Sequence, residues 1–245
     1  KLSTLLKICI DFTMCILLLL LMAFELIGHA AHEWIGMGMF LLFIIHHILN
    51  RKWSFSLLKG HYTPIRILNT ISAALVFLTM LGSMVSAVLI SQTVFSFLPI
   101  RGGQSFGRTL HLLSAYWGFV FLSFHLGLHW DGLMKLAGQR LFSKPSRLQR
   151  VLMSAAGTLI ALYGVIAFCR RGLWGYMSYR NPFAFFNYEE PLIFFFLDYL
   201  AIMGLFIFIA HFLRKLILGA SGKGKKSEWA SFPLIDKFCR RMQVF

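Results

Sequence analysis

The stretch AHEWIGMGMFLLFIIHHILN, residues 31–50, decides the fold class of this chain. Within this stretch, Glu33 is the only Asp, Glu, Lys or Arg residue. A helix of 20 residues extends about 30 Å, which matches the hydrocarbon core of a bilayer. The stretch therefore predicts a membrane-spanning helix, and this helix carries histidines near both of its ends.

Composition extends the prediction to the rest of the chain. Of 245 residues, 58% are apolar and only 13% are charged, and the mean hydropathy is +0.72. A soluble domain of this composition would expose too much apolar surface, so water-soluble enzymes and nucleic-acid-binding domains are excluded. The four cysteines form no CxxC or CxxCH pattern, so neither a disulfide framework nor covalently attached haem is indicated.

We expect an all-α polytopic membrane protein with six transmembrane helices, called spans 1 to 6. Span 1 could instead be a signal peptide, but no small-x-small cleavage site follows its leucine-rich run cleanly. Residues 1–218 would form one six-helix domain, and residues 219–245 a basic cytoplasmic tail. The six predicted spans lie near Ile8–Gly28, Ala31–Asn50, Ile67–Ser91, Thr109–Trp130, Val151–Cys169 and Pro191–Leu213.

Basic residues predict how the chain is oriented. Of the 24 lysines and arginines, 19 fall in the N-terminal segment, the loops after spans 2 and 4, and the tail. The positive-inside rule places these segments, and with them both termini, in the cytoplasm. Spans 2 and 4 would then both run from the outer to the inner face. The five basic residues assigned to the other face are Arg101, Arg108, Arg170, Arg171 and Arg180.

Histidines concentrate in these two parallel spans. Seven of the nine lie within residues 29–50 and 109–130, where an imidazole is costly unless it has a partner or a function. His32 and His46 are 14 residues apart, and so are His111 and His125. In a helix this spacing separates the two rings by about 21 Å along the axis and only about 40° around it. Each pair therefore lies on one face of its helix, at two depths.

This arrangement predicts two b-type haems, because each needs one imidazole on either side of the macrocycle. His32 would face His111 near the outer surface, and His46 would face His125 near the inner surface. The bundle of spans 1 to 4 would hold both haems. Arg108 and Arg66, at the outer and inner boundaries, are placed to pair with haem propionates, although both could simply extend to the membrane surface.

A second ligand scheme would use His29 with His47 and His111 with His129, each pair 18 residues apart. Its ligands would be about 27 Å apart, which would push both haems into the headgroups. The first scheme is preferred. His29, His47 and His129 are then candidates for propionate or quinone contacts, or for interfacial polarity.

Residues 32–53, HEWIGMGMFLLFIIHHILNRKW, and residues 107–130, GRTLHLLSAYWGFVFLSFHLGLHW, resemble the flavinylation-associated cytochrome domain, a bacterial membrane family. The likeness covers roughly residues 17–130. It implies a di-haem cytochrome b fold, with His32, His46, His111 and His125 as axial ligands and His129 also within the motif. It further implies electron transfer from membrane quinol toward extracytosolic partners that carry covalent FMN.

The chain is therefore expected to be an electron-transfer subunit of the bacterial cytoplasmic membrane. Electrons would pass from quinol or a cytoplasmic-side donor, through two haems b, to an extracytosolic flavoprotein or cytochrome. FMN would reside on the partner, because this chain has no Ser/Thr-Gly-Ala-Thr flavinylation motif. The alternatives are a histidine-based metal or proton transporter and an intramembrane metalloenzyme suggested by HAAHE at residues 29–33.

Overall fold

The computed structural model describes residues 2–100, 102–134 and 146–220, and these are helical apart from turns and connecting loops. Within these ranges, six helices are long and apolar enough to cross a membrane, which confirms the all-α polytopic fold. The helices with defined bounds are α1 (Leu2–Met22), α2 (Phe24–Ile27), α3 (His29–Leu49), α4 (Arg51–Ser56), α5 (Pro64–Ile90), α6 (Gln104–Leu128), α7 (Arg147–Arg170), α8 (Leu173–Met177) and α9 (Leu192–Ala220). The predicted tail, apart from the end of α9, lies outside the described residues.

Local chemistry explains why several helices begin earlier than hydropathy predicts. Helix α5 begins at Pro64, whose fixed φ suits a first turn, and Thr63 Oγ1 accepts a hydrogen bond from the Arg66 amide. Helix α7 begins at Arg147 rather than near Val151, because Ser146 and Gln149 form a capping box. These polar first turns carry no hydropathy signal, although they belong to the helices.

The first predicted span is divided in the structure. Helix α1 ends at Met22, the short α2 follows, and Gly28 with φ 85° separates α2 from α3. That positive φ is accessible to glycine without the steric cost that a Cβ would impose. At the other end of the chain, α9 continues past the predicted end at Leu213, because a helix can extend beyond its apolar segment.

The chain forms two compact units. Among the described residues, unit 1 comprises 2–70, 91–99 and 218–220, and unit 2 comprises 71–90, 100, 102–134 and 146–217. In unit 1, α1 packs against α3, with Leu18 and Met22 of α1 and Met39 and Phe43 of α3 buried. Unit 2 contains most of α5, together with α6, α7, α8 and nearly all of α9.

Glycines allow the helices of unit 2 to approach closely. A Cβ at Gly164 of α7 would overlap the Ala201 carbonyl oxygen of α9 and would lie 2.9 Å from the Leu205 Cβ. A Cβ at Gly127 of α6 would lie 2.5 Å from the Ile207 carbonyl oxygen. Small residues at such positions let backbones meet and gain van der Waals contact, which is the principal source of helix association in lipid. Helix α9 therefore packs tightly on both α6 and α7.

We expect Gly164→Ala to destabilise the protein by about 1–3 kcal/mol, because the added methyl group forces two backbones apart. Gly157→Ala is the matched control on the same helix, since a Cβ there has nothing within 4 Å. The control should keep or slightly raise the stability, because alanine is the better helix former. Thermal unfolding in detergent measures both variants, and equal melting temperatures would contradict the close contact at Gly164.

Candidate functional site

In unit 2, two of the predicted ligands receive hydrogen-bonding partners from α5. Ser72 Oγ lies 2.8 Å from His125 Nδ1, and Ser86 Oγ lies 3.0 Å from His111 Nδ1. Both serines are buried, with exposed fractions of 4% and 0%. The two imidazoles are thus each held at Nδ1 by a hydroxyl from the same neighbouring helix.

The contacts between α5 and α6 follow one register. Between the two serine–histidine pairs, Thr79 of α5 faces Gly118 of α6, where a Cβ would lie 3.3 Å from Thr79 Oγ1. The three contacts occur every seven residues on each helix, and their order along α5 is the reverse of their order along α6, as expected for antiparallel helices. A seven-residue step rotates a helix by only about 20°, so the contacts share one face of each helix.

The surroundings of His111 determine which of its nitrogens can ligate a metal. Its Nδ1 also lies 3.3 Å from the Ser83 carbonyl oxygen, which can only accept a hydrogen bond. Nδ1 therefore carries the proton in the neutral ring, and Nε2 carries the lone pair. This is the tautomer in which an imidazole ligates a metal through Nε2.

In unit 1, His32 and His46 lie on α3, which is continuous between them. His46 Nδ1 is 2.7 Å from Asp11 Oδ1 of α1, so a carboxylate holds the corresponding nitrogen there. The Asn50 amide nitrogen lies 3.3 Å from His46 Nε2 and would have to rotate for that atom to bind a metal. The His32 ring meets Phe24 edge-on, with centroids 4.9 Å apart.

Glu33, the acid of the HAAHE motif, holds the loop after α5 within unit 1. Its carboxylate accepts hydrogen bonds from Ser91 Oγ at 2.6 Å and from the amides of Gln92, Thr93 and Val94 at 2.8–2.9 Å. Four donors converge on two oxygens, so this carboxylate acts as a cap for a turn. The sequence alone indicates Glu33 only as part of a possible metal motif, HAAHE.

Arg66, predicted to contact a propionate, has backbone partners in the structure. Its guanidinium donates to the carbonyl oxygens of Ser56, Lys59 and His61 at 2.6–3.2 Å. It also lies over the Tyr62 ring at 4.3 Å. These contacts close the loop between α4 and α5, so a propionate would have to share this guanidinium with three carbonyl groups.

The other candidates lie near helix ends. Arg108 is exposed in the first turns of α6, and His129 follows the last residue of α6, with its ring centroid 4.8 Å from that of His125. His29 is the first residue of α3 and is exposed. The His47 ring contacts Phe43 edge-on at 4.4 Å. The second ligand scheme would thus depend on one residue that begins a helix and one beyond a helix end.

Asp198, buried in α9, has strong partners that sequence reasoning missed. Tyr163 Oη donates to it at 2.7 Å, Arg171 Nε donates to it at 2.7 Å, and Arg170 also contacts it. Arg171 in addition forms a bidentate pair with Glu190. Burial alone would lower the pKa of Arg171, but its hydrogen bonds to Glu190 and Asp198 outweigh this and raise the pKa above its usual value.

We expect Glu33→Ala to loosen the loop that follows α5. The variant removes the acceptor of three backbone amides, and one charge-assisted hydrogen bond contributes about 1.5–3 kcal/mol. Hydrogen exchange at residues 92–94, measured by mass spectrometry in detergent, should therefore become at least about tenfold faster. Glu25→Ala is the control from the same unit, since it leaves the Glu33 carboxylate in place. Unchanged exchange in Glu33→Ala would show that these hydrogen bonds do not hold the loop.

Comparison with models of protein families, with curated proteins and with solved structures gave no match to this chain. Membership of the flavinylation-associated cytochrome family stays a prediction from the motifs in residues 32–53 and 107–130. The observations that bear on function are thus the positions and partners of the histidines themselves.

Proposed function

We propose that this chain carries electrons across a membrane through two b-type haems. His32 and His111 would ligate the outer haem, and His46 and His125 the inner one. The pairing rests on the equal 14-residue spacings and on the orientation that the basic residues predict. The observation that carries the proposal is that His111 and His125 are each held at Nδ1 by a buried serine of α5.

The donor set suits a b-type haem. Such a haem needs neutral imidazoles whose Nε2 atoms face the iron and whose Nδ1 atoms donate to a second partner. His111 has this arrangement through Ser86 and the Ser83 carbonyl, and His125 and His46 have an oxygen at the same nitrogen. When bound, the haem supplies a one-electron iron couple whose potential depends on ligation, hydrogen bonding and burial.

Residues of this chain would orient the ligands and exclude water around them. The partners at Nδ1 restrict rotation of the rings, and the small residues of α5 let this helix lie close to α6. No bond-making side chain is required, because the protein contributes position and dielectric. The chain would accordingly be an oxidoreductase subunit.

The proposed orientation of the chain in the membrane also implies a route for the electrons. Both termini would lie in the cytoplasm of a bacterial cell, with the chain in the inner membrane. Electrons would enter from the quinone pool or a cytoplasmic-side donor and leave to an extracytosolic flavoprotein or cytochrome. Any FMN would be carried by that partner protein.

The metalloenzyme and transporter alternatives have less support from the geometry. Glu33 caps a turn, and Asp198 pairs with two arginines, so these two acids of the spans already have structural partners. Within the described ranges, no group of three or more His, Cys, Asp or Glu side chains is placed to hold a metal ion. A bis-imidazole haem requires only two protein ligands, so it does not depend on such a group.

We expect the purified protein to show a b-type absorption spectrum on reduction with dithionite. Pyridine haemochrome analysis should give about two haems per chain. Alanine at His32, His46, His111 or His125 should in each case reduce this content to about one, because an axial ligand is lost. His61→Ala is the matched control, since His61 lies exposed in the loop before α5 and belongs to neither ligand scheme.

Each result has a distinct meaning. A colourless, zinc-containing preparation would overturn the proposal. A variant that keeps its full haem content would remove the substituted histidine from the ligand set, and haem loss in His29→Ala or His129→Ala would favour the second scheme. Loss of haem from His61→Ala would mean that haem content reports general damage to the protein.

A further inference from the structure

We infer that Ser72 and Ser86 are positioning residues that set the tautomer and the electron-donating strength of His125 and His111. The inference rests on the proposed function, since it concerns how the two ligands from α6 are tuned. It assigns a specific chemical role to α5.

The hydrogen bonds of Ser86 determine the direction of its contact with His111. Its Oγ lies 2.7 Å from the Gly82 carbonyl and 2.9 Å from the Ser83 carbonyl. A hydroxyl has one proton, and both carbonyls can only accept, so that proton points along α5. The lone pairs of Oγ then accept the hydrogen bond from His111 Nδ1.

The Ser83 carbonyl oxygen is a second reason to place the proton on His111 Nδ1. It accepts from His111 Nδ1 at 3.3 Å, so Nδ1 faces two acceptors within α5. A proton on Nδ1 satisfies both acceptors, whereas a lone pair there would repel them. The exposed fraction of Ser86 is 0%, so bulk water does not compete for these positions.

Ser72 places a hydroxyl at Nδ1 of the other histidine of α6. It lies 14 residues before Ser86 and is 4% exposed, and its Oγ is 2.8 Å from His125 Nδ1. The two serines are about 21 Å apart along α5 and share one face of it. The spacing of the serines therefore equals the spacing of the histidines that they contact.

A hydroxyl partner has a defined electronic effect on an imidazole ligand. A hydrogen bond from Nδ1 to an oxygen raises the basicity of Nε2, which stabilises the oxidised iron and lowers the reduction potential. Serine achieves this as a neutral group, whereas a carboxylate in the same buried position would bring a charge into the membrane. Each serine should act on its own haem alone, because the two contacts are far apart.

Spectroscopic redox titration of the purified holoprotein tests this role. Ser86→Ala should raise the midpoint potential of the haem bound by His111, and Ser72→Ala that of the haem bound by His125. Each substitution should leave the other potential unchanged and should weaken haem retention by roughly 10–100-fold. Ser83→Ala is the matched control on the same helix, since it removes a hydroxyl but keeps the carbonyl that faces His111, and it should titrate as wild type.

Near-isosteric cysteine variants keep the test decisive if an alanine variant does not fold. Ser72→Cys and Ser86→Cys retain the side-chain volume but offer only a weak sulfur acceptor, so they should raise the same potentials. Wild-type potentials in the cysteine or alanine variants would overturn the inference while leaving two haems in place. Absence of haem from the wild-type protein would instead overturn the proposed function. Equal shifts in both potentials, or a shift in Ser83→Ala, would also contradict the assignment of one serine to one ligand.

Discussion

The packing of α5 against α6 in one seven-residue register is the constraint on which the candidate site of unit 2 depends. It places Ser72 at His125 and Ser86 at His111, with Thr79 against Gly118 between them. A shift of one residue along α5 would rotate the serines by about 100° and remove both contacts together. Because one interface fixes both histidines, their orientations are linked through a single rigid helix pair.

The lack of water in a membrane also determines which partners the acidic residues of the spans require. A polar group in a membrane finds no water to replace a missing partner, so a charged side chain there must be paired within the protein. Glu33 meets this requirement with a hydroxyl and three amides, and Asp198 meets it with two arginines and a tyrosine. Breaking the buried arrangement at Asp198 from one side typically costs several kcal/mol, so this residue contributes to the fold itself.

The fold class could be predicted from the sequence, whereas the partners of the polar residues could not. Six spans follow from hydropathy alone, because each helix must bring about 20 apolar residues into the bilayer. Hydropathy gives no information on which side chain from a distant part of the chain will meet a polar group. Hydropathy does not predict that Arg66 donates to three loop carbonyls or that Asp11 holds His46.

One further pattern in the sequence predicts the serine partners of the histidines. Ser72 and Ser86 repeat the spacing of His111 and His125, and equal spacings on consecutive antiparallel helices predict paired contacts. The spacings of the histidines alone predict the candidate ligands and not the residues that orient them. The positions of helix ends were also imprecise, because capping residues such as Ser146 lie outside the apolar segments that hydropathy detects.

Imidazole differs from the other polar groups of these spans because its two ring nitrogens can have different partners. A carboxylate such as Glu33 can direct both oxygens toward one turn, and a serine hydroxyl can bond within its own helix. In a neutral imidazole, a donor nitrogen and an acceptor nitrogen lie on different edges of the ring, so one partner accounts for only one of them. At His111 the α5 helix engages the donor nitrogen, and the chemistry proposed for this protein belongs to the acceptor nitrogen. The structural and functional interpretations of His111 are therefore compatible, because each uses a different nitrogen.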